Sequence, residues 1–211
     1  MAAIGVAHAP FARSFLMRWG GCPVAVARMT SVEAESARHL ALASLASERG
    51  MAPAPVRPAL GFSLDRTTSL DVGEWAKRTR TNCEKPRDGL VECAGVAPQS
   101  LGLKNTNATI DELAFEFDTQ SRLVNVTTFR THLTPQAAET AARAIVGSLN
   151  GELGAAERRA GEFDSAQMSA PGAASISTAV YRYSDYVADV TAMNAPSGGP
   201  SIREHYMSAR D

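Results

Sequence analysis

The residues whose spacing most restricts their chemistry are two cysteines, Cys83 and Cys93. They are the two ends of CEKPRDGLVEC, in which Pro86 precedes an Arg-Asp-Gly turn. Because Gly89 can supply the positive φ of a short hairpin turn, the strands should pair outward from Pro86 opposite Leu90 to Cys83 opposite Cys93. The Cα atoms of such an opposed, non-hydrogen-bonded pair lie about 4.5 Å apart, close to disulfide spacing. The spacing predicts a hairpin closed by a disulfide.

The alternatives for this pair are reduced thiols, a redox pair and half of a metal site. Redox C-x-x-C motifs have much closer spacing, and a zinc site needs about four ligands when only Cys22 remains among the cysteines. A disulfide indicates an oxidising compartment. We therefore expect an extracytoplasmic protein, periplasmic or secreted, and keep a cytoplasmic interaction protein with free thiols as the alternative.

Acid–base candidates are sparse in this sequence. His132 precedes the longest predicted helix and His205 lies in the last predicted strand; with Asp185 they are the nearest candidates for a polar active site. The familiar H-E-x-x-H, P-loop, G-x-S-x-G and G-x-G-x-x-G motifs are missing from the sequence. The enzyme hypothesis for this protein requires these three side chains to converge on one site. Separations beyond about 10 Å would exclude it, because acid–base partners must lie close together. No cofactor or metal is expected.

Tyrosines and arginines cluster in two strand-like segments near the C-terminus. The candidate binding residues are Tyr181, Arg182, Tyr183, Tyr186, Arg203 and Tyr206. Tyrosine and arginine are enriched in protein-binding surfaces, although ordinary half-buried strands also contain them. The first hypothesis is thus a small, non-enzymatic module that binds another protein or an envelope component. It predicts that Tyr183→Ala or Tyr186→Ala weakens partner binding with little loss of fold.

Composition limits the remaining classes of protein. The 211-residue chain is 45% apolar and 20% charged, with a net charge of −1. That is a globular composition, and it gives no global field that would attract nucleic acid or an anionic membrane. No apolar run reaches the roughly 20 residues of a membrane span. The oligomeric state does not follow from the sequence.

The elements that would position these residues begin after a proline-rich segment, MAPAPVRPALG. We predict an N-terminal extension or targeting region with a linker over 1–58 and one domain over 59–211. Within the extension, Thr30 and Glu33 form a candidate capping box for a helix that ends near Gly50. Cys22 fits a lipid-modified position poorly because arginines flank it.

The domain is predicted to read strand, helix, hairpin, two strands, long helix and two strands. The strand candidates include LGFSLDRTT, the alternating IDELAFEFD, and LVNVTTFRT. Ser69 is the expected N-cap of the short helix, and Thr134 with Pro135 starts the long one, which should stop near Asn150. The segment SISTAVYRYSDYVADVTAMN is expected to bend near Ser184. This order predicts an α+β fold, an antiparallel sheet with one short and one long helix on one face.

Overall fold

The computed structural model describes residues 30, 32–33, 36, 40, 50–103, 108–169, 174–195 and 198–210. It confirms the α+β fold, with eight antiparallel strands in one sheet. The helices are α1 (Ser69–Thr79), α2 (Pro135–Leu153) and the single turn α3 (Ser165–Met168), with a 3₁₀-helix at Pro98–Leu101. The strands are β1 (Asn82–Arg87), β2 (Leu90–Val96), β3 (Ile110–Phe117), β4 (Leu123–Arg130), β5 (Arg158–Ala160), β6 (Ser175–Arg182), β7 (Tyr186–Ala195) and β8 (Gly199–Ser208).

The chain folds as two successive units, each with a helix followed by four strands. The strand order in the sheet is β1-β2-β3-β4-β8-β7-β6-β5, so each unit forms a meander and the two meanders meet at β4 and β8. Neighbouring strands run antiparallel within each meander and also where β4 pairs with β8, so every strand pair in the described part of the chain is antiparallel. The centre of the sheet is therefore the junction between the two units.

The two faces of the sheet have different neighbours. One, the helix face, carries alternate strand residues that include Phe115, Val126, Tyr181, Ala188 and Tyr206. Trp75 of α1 packs edge-on against Phe115 with ring centroids 5.9 Å apart, and the carbonyl of Val146 in α2 accepts a hydrogen bond from the Tyr181 hydroxyl at 3.3 Å. Both α1 and α2 therefore pack on this face. The opposite surface, the far face, carries the intervening residues, which include Asn125, Thr127, Arg203, His205 and Met207.

The cysteine hairpin has the predicted pairing at its open end and a different turn. Cys83 lies opposite Cys93 with Cα atoms 4.0 Å apart, and the Sγ atoms are at disulfide-bond distance. Arg87, however, pairs with Leu90, so the turn has two residues and the register shifts within β1. Gly89 has φ 73°, as the turn requires. The disulfide links the edge strand β1 to its neighbour β2, in which Cys93 is buried.

The two predicted helices, the short α1 and the long α2, lie where the sequence placed them, with corrections at their ends. The N-cap of α1 is Thr68 rather than Ser69, and it forms a capping box with Asp71. Thr134 caps α2 as expected, and Pro135 is its first residue. The helix continues to Leu153, beyond the predicted stop, because buried apolar positions still recur at its C-terminal end.

One predicted strand is wrong, and another is divided into two strands. The segment LGFSLDRTT is a series of turns, in which Leu60 and Gly61 have φ of 57° and 85° and the Phe62 N–H bonds the Ala59 carbonyl. The chain bends at Ser184 as predicted, but the bend is a tight turn that separates β6 from β7, closed by the Tyr183 N–H donating to the Tyr186 carbonyl. Between α2 and β6, where the predicted order had no element, the chain forms β5 and α3.

The proline-rich segment makes specific contacts with the sheet. The Ser184 N–H donates to the Ala52 carbonyl at 2.9 Å, and the Ala54 N–H donates to the Asp185 carboxylate at 2.9 Å. A Cβ on Gly50 would lie 2.3 Å from the Arg182 carbonyl oxygen, so that position requires glycine. Residues 50–58 thus lie against the β6–β7 turn. The domain boundary at residue 58 stays a prediction.

The predicted helix of the N-terminal extension falls mostly outside the described residues. Its capping box is present, since the Thr30 N–H donates to the Glu33 carboxylate at 2.7 Å and the Glu33 N–H donates to the Thr30 hydroxyl at 3.3 Å. Cys22 and the proposed targeting features lie outside the described part of the chain.

Candidate functional site

A cavity of about 550 Å³ lies on the helix face, between α2 and the turn at residues 58–62. Its lining comprises Pro58, Ala59, Leu60, Gly61, Phe62, Leu101, Gly102, Leu103, Ala144, Ile145, Ser148, Leu149, Glu152, Glu204 and Tyr206. The volume is within the range of small-molecule pockets, which are mostly apolar with a few placed polar groups. The cavity has that composition.

The walls of the cavity come from both halves of the fold. The first half supplies the turn around Leu60 and the residues at the end of the 3₁₀-helix. The Trp75 indole N–H donates to the Ser100 carbonyl at 3.0 Å and so fixes that helix against α1. The second half supplies α2 and, from the sheet, the β8 residues Glu204 and Tyr206. The cavity therefore lies between α2 of the second unit and these two segments of the first, above β8.

A buried ion pair lies beneath the cavity. Glu204 accepts hydrogen bonds from the Thr128 hydroxyl at 3.0 Å, from the Arg130 guanidinium and from the Tyr206 hydroxyl at 2.6 Å. The Arg130 Nε also donates to the Ala108 carbonyl at 3.4 Å. Thr128, Arg130, Glu204 and Tyr206 are all buried, so the two charges are removed from water and compensate each other.

Tyr206 is held as a hydrogen-bond donor to Glu204. Burial raises the pKa of the Tyr206 phenol well above its usual range, and the Glu204 charge and hydrogen bond raise it further. The phenol therefore stays protonated at ordinary pH. Since its proton points at Glu204, the lone pairs of the phenol oxygen are what Tyr206 can offer to a ligand.

The exposed mouth of the cavity carries one acidic side chain, that of Glu152. Glu152 lies in the last turn of α2, and the Ser148 hydroxyl donates to its carboxylate at 3.3 Å. Among the described lining residues there are two carboxylates and no lysine, arginine or histidine. The charged side chains of the described lining are therefore all anionic.

The six predicted binding residues do not share one surface. Tyr181, Tyr186 and Tyr206 are buried on the helix face; the Tyr181 hydroxyl donates to Asn150 at 2.8 Å and the Tyr186 hydroxyl to the Pro58 carbonyl at 2.6 Å. The hydroxyls of these tyrosines bond within the protein, and Tyr206 lines the cavity; a binding role for the three residues stays a prediction.

The other three predicted binding residues lie elsewhere. The Tyr183 hydroxyl donates to the Leu153 carbonyl at the end of α2, and the side chain is partly buried. Arg182 and Arg203 pair with Val187 and Phe129, at far-face positions of β6 and β8. Partner binding by Tyr183, Arg182 and Arg203 stays a prediction.

The three acid–base candidates are far apart. Near His132, the Leu133 N–H bonds the Pro200 carbonyl at the start of β8, whereas the Asp185 carbonyl accepts from Ala209, just beyond the other end of β8. Nine residues of strand separate these points, or about 30 Å at 3.3 Å per residue. The predicted active site of His132, His205 and Asp185 is therefore not formed.

His205 instead belongs to a charged cluster on the far face. Asp189 lies 2.9 Å from His205 Nδ1 and 2.5 Å from the Arg203 guanidinium. Burial raises the pKa of Asp189, but the hydrogen bond and charge of His205, together with Arg203, lower it more, to about 2. The carboxylate is thus ionised well below the usual range of aspartate.

This cluster predicts an acid-sensitive contribution to stability. Because the folded pKa of Asp189 is depressed, the contribution is complete above about pH 4 and declines as the pH falls towards 2. We expect Asp189→Asn to destabilise the protein by about 2 kcal/mol at pH 7, and the difference from wild type to shrink below about pH 4 and vanish below about pH 2. Urea unfolding at several pH values measures this. The exposed Asp88→Asn is the control, and an equal effect of both variants would contradict the assignment.

The sequence contained a signal for the buried ion pair that the prediction did not use. Thr128 and Arg130 share a strand face with Val126, and Glu204 shares one with Ile202. A charged residue in phase with buried apolar neighbours indicates a paired, buried group. The wall residues of the cavity gave no such signal, since their approach depends on how the two units pack.

No family model, curated protein or solved structure matches this chain. None of the described helices is long and apolar enough to cross a membrane. The described residues also contain no cluster of three or more histidine, cysteine, aspartate or glutamate side chains arranged to hold a metal ion.

Proposed function

We propose that the protein is an extracytoplasmic, non-enzymatic module that binds a small, largely apolar molecule, such as an envelope component, in the cavity beside α2. The observation that carries the proposal is the cavity itself, apolar on its walls and with Glu204 and Tyr206 on the central strand below. A well-formed apolar pocket with a few convergent polar groups is the usual form of a ligand site.

The arrangement of Glu204 favours binding over catalysis. Three donors, from Thr128, Arg130 and Tyr206, already use the carboxylate oxygens. A general base must reach the proton of its substrate, which is unfavourable for a carboxylate whose oxygens are occupied within the protein. The group therefore supports a rigid cavity floor. A protein partner stays the second candidate, through the far-face positions of Arg182 and Arg203.

The extracytoplasmic location rests on the disulfide and has a direct test. We expect the intact mass of protein from its native host to rise by about 2 Da on reduction, because Cys83 and Cys93 form one bond between opposed strands. Mass spectrometry with and without reductant measures this, and the same spectrum shows whether the N-terminal region is retained. An unchanged mass would mean free thiols and would favour the cytoplasmic alternative.

Filling the cavity tests the binding function. Ala144 lines the cavity from α2, so Ala144→Trp should place an indole in the ligand space and weaken binding at least about tenfold. The probe is N-phenyl-1-naphthylamine, a neutral apolar dye, followed by its fluorescence. Thr140→Trp, on an exposed position of the same helix, should leave binding unchanged.

Two outcomes would count against the cavity. If wild-type protein does not bind the dye, or if Ala144→Trp binds it as tightly as wild type while remaining folded, the ligand site lies elsewhere. Thermal unfolding of each variant by circular dichroism separates loss of binding from loss of fold.

A further inference from the structure

Resting on the proposed function, we infer that the ligand is an apolar amine, whose ammonium group lies at the mouth beside Glu152 and whose apolar body fills the cavity. This assigns a charge and an orientation to the ligand. Three features of the described residues carry the inference: the apolar walls, the polar atoms of the floor, and the end of α2 at the mouth.

The walls select an apolar body. Six of the side chains that line the cavity are large and apolar, namely Leu60, Phe62, Leu101, Leu103, Ile145 and Leu149. They come from both sides of the cavity and would contact a ligand along its length. Burying apolar surface against such walls contributes roughly 25 cal/mol per Å², which makes the body the main source of affinity.

The floor disfavours an anionic head. Glu204 and Tyr206 are the two sheet residues that line the cavity, and the Tyr206 hydroxyl donates to Glu204, so this pair presents a phenol lone pair and a carboxylate rather than a donor. A ligand carboxylate placed there would lose its water without gaining a donor, and Glu204 would repel it.

One buried donor supports the competing interpretation. Arg130 Nη2 has no hydrogen-bond partner among the described residues, and a ligand carboxylate is an acceptor for such a donor. Arg130 does not line the cavity, however, and Glu204 already compensates its charge. The observations therefore favour a cationic ligand, and a carboxylate becomes one arm of the test.

The mouth attracts a cation for two reasons. Glu152 is exposed there, and it lies in the last turn of α2, where the helix dipole gives the C-terminal end a partial negative charge, although the Asn150 and Leu153 carbonyls already accept hydrogen bonds. That last turn contains no basic residue that would offset the charge. An ammonium group at the mouth would interact with both charges and remain solvated.

Three ligands with one chain length and different heads test the inference. At pH 7, decylammonium is a cation, decanol is neutral and decanoate is an anion. We expect decylammonium to bind about tenfold more tightly than decanoate, with decanol between them, because the mouth attracts one charge and repels the other. Competition with N-phenyl-1-naphthylamine, below the micelle concentration of each ligand, measures the three affinities.

A matched pair of variants locates the charge preference. Glu152→Gln should reduce the decylammonium-to-decanoate ratio to about threefold or less, while decanol affinity stays unchanged. Glu157→Gln removes the same charge from an exposed position outside the cavity lining and should keep the wild-type ratio. The reduced ratio in the first variant alone is the expected result.

The outcomes distinguish this inference from the proposed function. If none of the three ligands displaces the dye, the cavity is not the ligand site and the proposed function fails with the inference. If decanoate binds as tightly as decylammonium, or if Glu152→Gln keeps the wild-type ratio, the amine inference is overturned while an apolar ligand site remains.

Discussion

Glu204→Gln is expected to lower the free energy of unfolding by about 3–5 kcal/mol. Breaking a buried ion pair at one partner has this cost, because the remaining charge stays buried without compensation. Arg130 would be that charge, since its side chain is fully buried and its guanidinium donates to Glu204. The substitution keeps the size of the side chain, so the effect reports the lost charge more than lost packing. Urea unfolding measures it.

Two further variants make this prediction specific. The double variant Arg130→Met/Glu204→Leu removes both charges and should recover much of the loss, because apolar replacements of buried pairs are often near neutral. Arg122→Met removes one partner of the more exposed Arg122–Asp118 pair and should cost less than about 1 kcal/mol. A loss for Glu204→Gln as small as that of Arg122→Met would show that Glu204 is not a compensating charge.

The fold was predicted well wherever a local pattern was sufficient. The alternation around Phe115 and Phe117 identified β3, and the Thr134-Pro135 start identified α2. The pairing of Cys83 with Cys93 was predicted from hairpin geometry and is present, although it is reached through a two-residue turn and a register shift in β1 that were not predicted. Each of these features depends on residues that are close together in the sequence, so a local pattern was enough to predict it.

The errors arose where tertiary contacts override local preference. The segment around Phe62 has strand composition, yet it forms turns because Phe62 packs against Trp75 and Phe115, with centroids 5.3 and 4.8 Å away. The domain boundary at residue 58 stays a prediction, but nothing in the proline-rich segment indicated that its Pro58 carbonyl accepts the Tyr186 hydroxyl, 128 residues away. Neither contact has a signature in the residues that flank it.

The candidate site shows the same division. The β-strand period alone places Glu204 and Tyr206 on one side of β8 and Arg203 on the other. What the sequence could not show is which side faces the helices, because that depends on how the two units join at β4 and β8. The cavity exists only through that junction, and so its walls are invisible to any one segment.

Tyr186→Ala is expected to destabilise the fold rather than affect a partner surface. The side chain is fully buried on the helix face, and truncating a buried aromatic residue to alanine costs about 3–5 kcal/mol through lost contacts and a residual cavity. Tyr186→Phe keeps the ring and should cost about 1–2 kcal/mol, because the Pro58 carbonyl loses its donor. Urea unfolding of both variants measures the cost of removing the ring and the cost of removing the hydroxyl. A loss below about 1 kcal/mol for Tyr186→Ala would contradict its buried position and restore the protein-binding role first predicted for that tyrosine.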